Sequence, residues 1–157
     1  MKRLEVAVTK RIQGTDTHSR ILKCAALARK KVGKKQLTWG DCGQWAWAVV
    51  KYLNDPSIDF GLITNIDNHA NTLHELSFHD PAIWHVFLEH KGRLYDGLGE
   101  CDMDDIFGLM EGYEDEDDIM EWHDIKTDET VRRLIANDTD WKHDWTFYHK
   151  LFSDNSV

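Results

Sequence analysis

The sequence predicts an α+β domain. Two helical-period apolar stripes in the first third of the chain and one alternating hairpin after the middle carry that expectation. With 157 residues the chain fits one domain, 1–157. A chain of that size buries roughly 70% of its unfolded surface, so it folds without staples.

The first stripe covers 18–31. Ile21, Cys24, Ala25 and Ala28 fall on one face with Leu22 beside it, and Gly14-Thr15-Asp16-Thr17 supplies turn chemistry and a cap before them. Lys and Arg in the last turn, then Gly33, are stop signals. Cys24 lies on the stripe and reads as a small core residue. The second stripe follows Asp41, a good N-cap. Ala46, Val49, Val50 and Leu53 recur at helical spacing, and Asn54-Asp55-Pro56 ends the run. The hairpin spans 84–98: WHVFLEH, Lys91-Gly92, then RLYDGL. Shorter signals fill the rest. Residues 4–9 (LEVAVT) and 60–64 read as strands, 65–81 as a long polar loop, and 106–109 as a short helix in an acidic region that runs from 101 to 124. Residues 128–137 and 141–152 read as helices.

Composition excludes several function classes. A net charge of −9 leaves no basic face for nucleic acid. The local cluster Arg29, Lys30, Lys31, Lys34 and Lys35 reads as a solvated helix end. No stretch approaches the ~20 apolar residues of a membrane span, and LEVAV is too short for the apolar core of a signal peptide. Three cysteines without a CxxC argue against a disulfide framework and a zinc ribbon. The expectation is a cytoplasmic protein with neither cofactor nor metal.

Among these cysteines, Cys42 stands at the first turn of the second helix. Backbone N–H groups there carry partial positive charge and favour a thiolate, which is the nucleophilic form. A thiolate nucleophile needs a histidine as base. His85, an isolated polar residue in the apolar run WHVFL, is the best of the nine histidines. A two-residue turn at Lys91-Gly92 makes paired positions sum to about 183, which puts Asp96 diagonal to His85 on one face. A carboxylate there can hold the imidazole's tautomer. Trp39, Trp45 and Trp84 flank these motifs and are candidates for lining a substrate groove, with core packing the equal alternative.

The run Gln36…Gly40-Asp41-Cys42-Gly43-Gln44-Trp45-Ala46 resembles the nucleophile segment of papain-like thiol hydrolases. The run His85-Val86-Phe87-Leu88…Gly92-Arg93-Leu94-Tyr95-Asp96-Gly97 resembles the His and Asp strands of the transglutaminase-like and arylamine N-acetyltransferase-like branches. The likeness covers 36–99. Gly43 and Gln44 depart from papain, where Trp follows the cysteine directly. The resemblance implies a helix, begun by the cysteine, packed on a small antiparallel sheet. It implies Cys42 as nucleophile, His85 as base, Asp96 as orienter, and Gln36 as a donor to the oxyanion alongside the Cys42 N–H. The activity implied is that of a protease- or amidase-like hydrolase or an acyl transferase, acting on an amide, isopeptide or thioester of a protein or peptide-like substrate.

Two other classes compete. The acidic, aromatic segment at 111–118, with Tyr113 inside it and Ile119, Met120 and Trp122 after it, suits a binding or inhibitor protein on an inactive scaffold of the same kind. His69, His74 and His79, and the dipeptides His79-Asp80, His123-Asp124 and His143-Asp144, suggest a metal-dependent hydrolase. Their spacing misses the zincin motif by one residue.

Overall fold

Helix α1 (Thr17–Val32) begins where Asp16 accepts a hydrogen bond from the His18 N–H, and ends at Gly33, whose φ is 89°. Its buried residues are Ile21, Cys24, Ala25 and Ala28, the stripe read from the periodicity. The computed structural model describes residues 16–65, 83–110, 120–125 and 141–157. The expected strand at 4–9, the loop at 65–81 beyond Asn65, the acidic segment 111–118 and the helix at 128–137 lie outside them.

A short helix α2 (Lys34–Trp39) follows, then α3 (Cys42–Leu53), which Asn54 closes in the left-handed conformation. Five strands come after: β1 (Ile58–Asn65), β2 (Ile83–His90), β3 (Arg93–Asp96), β4 (Gly99–Cys101) and, beyond helix α4 (Met103–Met110), β5 (Met120–Ile125). Helix α5 (Trp145–Asp154) ends the described chain, capped by Asp144. The strands form one antiparallel sheet in the order β4-β3-β2-β1-β5.

Alternation along β2 divides the core. Val86 and Leu88, with Phe60 and Tyr95, join the large cluster built by α1, α3 and α5, where Trp45, Val49, Tyr148 and Phe152 are buried. Phe87 belongs to a second cluster with Leu94 of β3 and Ile106 of α4. Each fully buried side chain of this size stabilises the fold by roughly 1.5–3 kcal/mol before entropy is counted. The chain is thus α+β, with helices packed on a small antiparallel sheet.

The β2–β3 turn has the predicted length. Lys91 and Gly92 both take positive φ, 49° and 77°, the twist that a two-residue hairpin requires. His90 pairs with Arg93, Glu89 with Leu94 and Leu88 with Tyr95, so paired numbers sum to 183 as expected. After Asp96 the chain turns at Gly97 against α2. A Cβ at Gly97 would stand 2.9 Å from the Leu37 Cβ, so only glycine lets the end of β3 come this close to the segment leading to Cys42.

No helix among the described residues is long and apolar enough to cross a membrane.

Candidate active site around Cys42

Cys42 is the first residue of α3, so its N–H belongs to the opening turn, whose donors have no partner within the helix. The side chain is 5% exposed. His85 comes from β2 and Asp96 from the end of β3. The His85 Nε2 lies 3.1 Å from Asp96 Oδ2, with both side chains almost wholly buried. Asp96 Oδ1 accepts a hydrogen bond from the Leu98 N–H at 2.8 Å, so the carboxylate is held at both oxygens. The diagonal placement expected from the hairpin register is therefore realised.

Since Nε2 faces Asp96, Nδ1 is the nitrogen left for other work. It is buried and has no hydrogen-bond partner among the described residues. Burial is the largest single influence and acts to lower the His85 pKa, but the hydrogen bond to Asp96, the influence of the Cys42 sulfur and the charges on both residues together outweigh it. The net direction is upward from the ordinary histidine value. Cys42, His85 and Asp96 thus stand together as an interacting group.

Cys24 has its thiol pushed up to about 12 by burial. Cys101 is also pushed up to about 12, by burial and then by the charges of Asp96, Asp105, Asp102 and Glu100. Both stay protonated at neutral pH.

A second cluster sits one residue from Cys42. Asp41 occupies the N-cap position of α3, but its side chain makes no capping bond to the helix. The carboxylate, 0% exposed, instead accepts from Gln36 Nε2 at 2.8 Å, the Lys142 N–H at 2.6 Å, the His143 N–H at 3.3 Å and the Tyr148 hydroxyl. His143 Nδ1 lies 2.8 Å from its Oδ2. Burial would raise the Asp41 pKa; these bonds, Tyr148 first, hold it below the ordinary carboxylate value. Tyr148 is shifted upward by burial, by its bond to Asp41 and by the charges of Asp41 and Cys42, so the phenol stays protonated.

The expected site residues thus fare differently. Cys42, His85 and Asp96 come together. Gln36 is near, with one amide hydrogen committed to Asp41. Trp39 is 40% exposed at the end of α2, three residues before Cys42. Trp45 is 0% exposed and its Nε1 donates to the Cys24 carbonyl, so it is a core residue. Trp84 precedes His85 in β2, and its side chain lies outside the described part of the structure. The expected helix cap at Asp41 is corrected to a hub that joins α2, α3 and the approach to α5. Sequence reading missed Lys142, His143 and Tyr148 as its partners because they are 101–107 residues away; the only signal was an acidic residue directly before a cysteine.

Among the described residues, no group of three or more His, Cys, Asp or Glu side chains is arranged to hold a metal ion. His69, His74 and His79 lie outside them. No family model, no curated protein and no solved structure matches the chain.

Proposed function

We propose that this chain is a cysteine-dependent hydrolase or acyl transferase with a papain-like or transglutaminase-like arrangement. Its substrate would be a protein or peptide-like amide, isopeptide or thioester. The observation that carries the reading is His85: buried, fixed to Asp96 through Nε2, with Nδ1 unpartnered among the described residues and Cys42 beside it.

The chemistry follows from that tautomer. With Nε2–H donated to Asp96, the neutral imidazole presents a lone pair at Nδ1. The Cys42 thiol proton passes to Nδ1, leaving a thiolate and an imidazolium that Asp96 stabilises. The sulfur attacks the substrate carbonyl and a C–S bond forms. The carbonyl electrons move to oxygen, where the Cys42 N–H and the second Gln36 amide hydrogen are the available donors. The electrons return, the bond to the leaving group breaks, and the proton on Nδ1 goes with the leaving group. Water or an amine, deprotonated by His85, then resolves the thioester. A reactive thiol of this kind suits a reducing compartment such as the cytoplasm.

Iodoacetamide labelling of each cysteine against pH, read by peptide mapping in wild type and His85→Ala, tests this. Selective alkylation of Cys42 near neutral pH, lost in His85→Ala, is expected; Cys24 and Cys101 should label slowly. A slow Cys42 that is indifferent to His85 would sink the reading.

A further inference from the structure

A fully buried carboxylate with five donors directly before a nucleophile is more than a fold requires at a helix start. We infer that Asp41 is a positioning residue for the oxyanion donors of Cys42, and that through it the chain at 142–148 controls the orientation of Gln36. This inference rests on the thiol acyl-transfer reading above.

The argument turns on what each group can do. An ionised carboxylate only accepts hydrogen bonds. The side-chain amide of Gln36 has two faces, an NH2 that donates and an oxygen that accepts. Facing Asp41 Oδ1 at 2.8 Å, it must present the NH2, and its remaining N–H is then a donor whose direction is set by the first. An amide turned the other way would offer an oxygen to a developing oxyanion and repel it. The carboxylate thus decides which way Gln36 faces.

Asp41 is itself held too firmly to follow Gln36. The N–H groups of Lys142 and His143, the His143 ring and the Tyr148 hydroxyl come from the far end of the chain. His143 is in turn stacked on Phe147, with ring centroids 4.3 Å apart. The backbone adds a second tie: the Asp41 and Gly40 N–H groups donate to the Gln36 carbonyl at 2.8 and 3.1 Å. Asp41 also sets the entry to α3, since its carbonyl accepts the first helical bond, from Trp45 at 2.8 Å. The turn that carries the Cys42 N–H and the amide of Gln36 are therefore braced from one atom group. None of these ties touches His85 or Asp96. Asp41 acts on the oxyanion side of the reaction; its link to the thiol runs through Tyr148, which feels the charge on Cys42, and the imidazole is left to Asp96.

That separation makes the test. Alkylation by iodoacetamide displaces iodide from carbon and generates no oxyanion. Acylation by p-nitrophenyl acetate passes through one: the Cys42 sulfur bonds to the acetyl carbon, and nitrophenolate leaves with the C–O electron pair. Both rates are measured on the full chain in wild type, Asp41→Asn, Tyr148→Phe and Gln36→Ala. The expected result is acylation slowed by roughly 10²–10³-fold in Asp41→Asn and in Gln36→Ala, with alkylation of Cys42 within about twofold of wild type. Tyr148→Phe should show a smaller loss in the same direction, and it keeps the test open should Asp41→Asn fold poorly. Equal losses in both reactions would make Asp41 a support of the fold alone, and unchanged acylation in a folded Asp41→Asn or Gln36→Ala would overturn the inference. A wild type with no selective alkylation of Cys42 would instead defeat the thiol reading, and this inference with it.

Discussion

Two histidine–carboxylate pairs flank Cys42, and they are built in opposite ways. In His85–Asp96 the carboxylate serves the histidine. Among the described residues Asp96 has one other hydrogen-bond partner, the Leu98 N–H, and the imidazole keeps a buried nitrogen with none. In His143–Asp41 the histidine serves the carboxylate. It is one donor among several around a side chain that is wholly buried, while the His143 side chain remains 24% exposed. Burial without a partner costs free energy; among the described residues His85 Nδ1 shares that state with Trp47 Nε1, and what sets His85 apart is Asp96 on one side with Cys42 beside it. A saturated carboxylate is what a scaffold uses. Under the proposed function, the difference separates a pair that would move a proton from a pair that holds three segments together.

The largest expected effect tests the first half of that comparison. Asp96→Asn should leave the shape intact and remove the charge that stabilises the imidazolium. Acylation by p-nitrophenyl acetate should fall by about 10⁴-fold, the order seen when a triad carboxylate becomes an amide. Thermal unfolding should show a stable protein, because the amide can still accept from the Leu98 N–H. A variant that retains wild-type acylation would mean His85 is oriented by something other than Asp96.

Asp41→Ala tests the other half. It strips the acceptor from Gln36, Tyr148, His143 and two backbone N–H groups at once, and a loss of about 3–5 kcal/mol is expected from breaking a buried charged network. For a domain of this size that is a fall in Tm of roughly 10 °C or more. If Asp41→Ala melts like wild type, the cluster is not the brace described above.

The pairs should also part company with pH. The folded pKa of His85 is raised, so the stability it gains from Asp96 is fully present below the ordinary histidine value of about 6.5 and is lost as pH rises through the folded value. The folded pKa of Asp41 is lowered, so its stability is present above the ordinary value of about 3.9 and is lost as pH falls through the folded one. The Tm gap between wild type and Asp96→Asn should therefore narrow on the alkaline side. The gap between wild type and Asp41→Asn should narrow only in acid. Gaps that close on the same side would put both carboxylates in one role.

How far each pair was legible in the sequence follows from the distance over which it is built. His85 and Asp96 are joined by a hairpin, whose register a two-residue turn dictates, so eleven residues of sequence were enough to place them. The stripe of α1 was equally local, since a 3.6-residue period names its own buried face. Asp41 has the opposite character. A residue before a helix reads as a cap, and nothing near it tells that Tyr148 lies against it. The strand β5 was hidden differently: MEWHDI sits in an acidic stretch, and it is a strand because β1 offers an edge to pair with. Trp45 could line a groove or pack in the core by its place after the cysteine motif, and its position on α3 decides for the core, sending it inward toward Cys24. The α+β layout and the His85–Asp96 contact were readable; the brace that long-range contacts supply was not.

The smallest effect expected concerns the turn that makes the first pair local. Lys91 holds φ at 49°, a conformation in which most side chains crowd their own backbone, while Gly92 holds 77° at no such cost. Asparagine tolerates the left-handed region better, and Asn-Gly is the favoured sequence for a two-residue hairpin. Lys91→Asn should therefore stabilise the fold by roughly 0.5 kcal/mol, with acylation and alkylation of Cys42 unchanged, since the register stays at 183 and Lys91 is solvent-exposed. A raised Tm with unaltered rates would show that the turn sets where Asp96 stands without taking part in what His85 does. A change in the acylation rate would mean instead that the hairpin's register moves with the turn residue, and that the His85–Asp96 geometry depends on strain in the turn as well as on pairing.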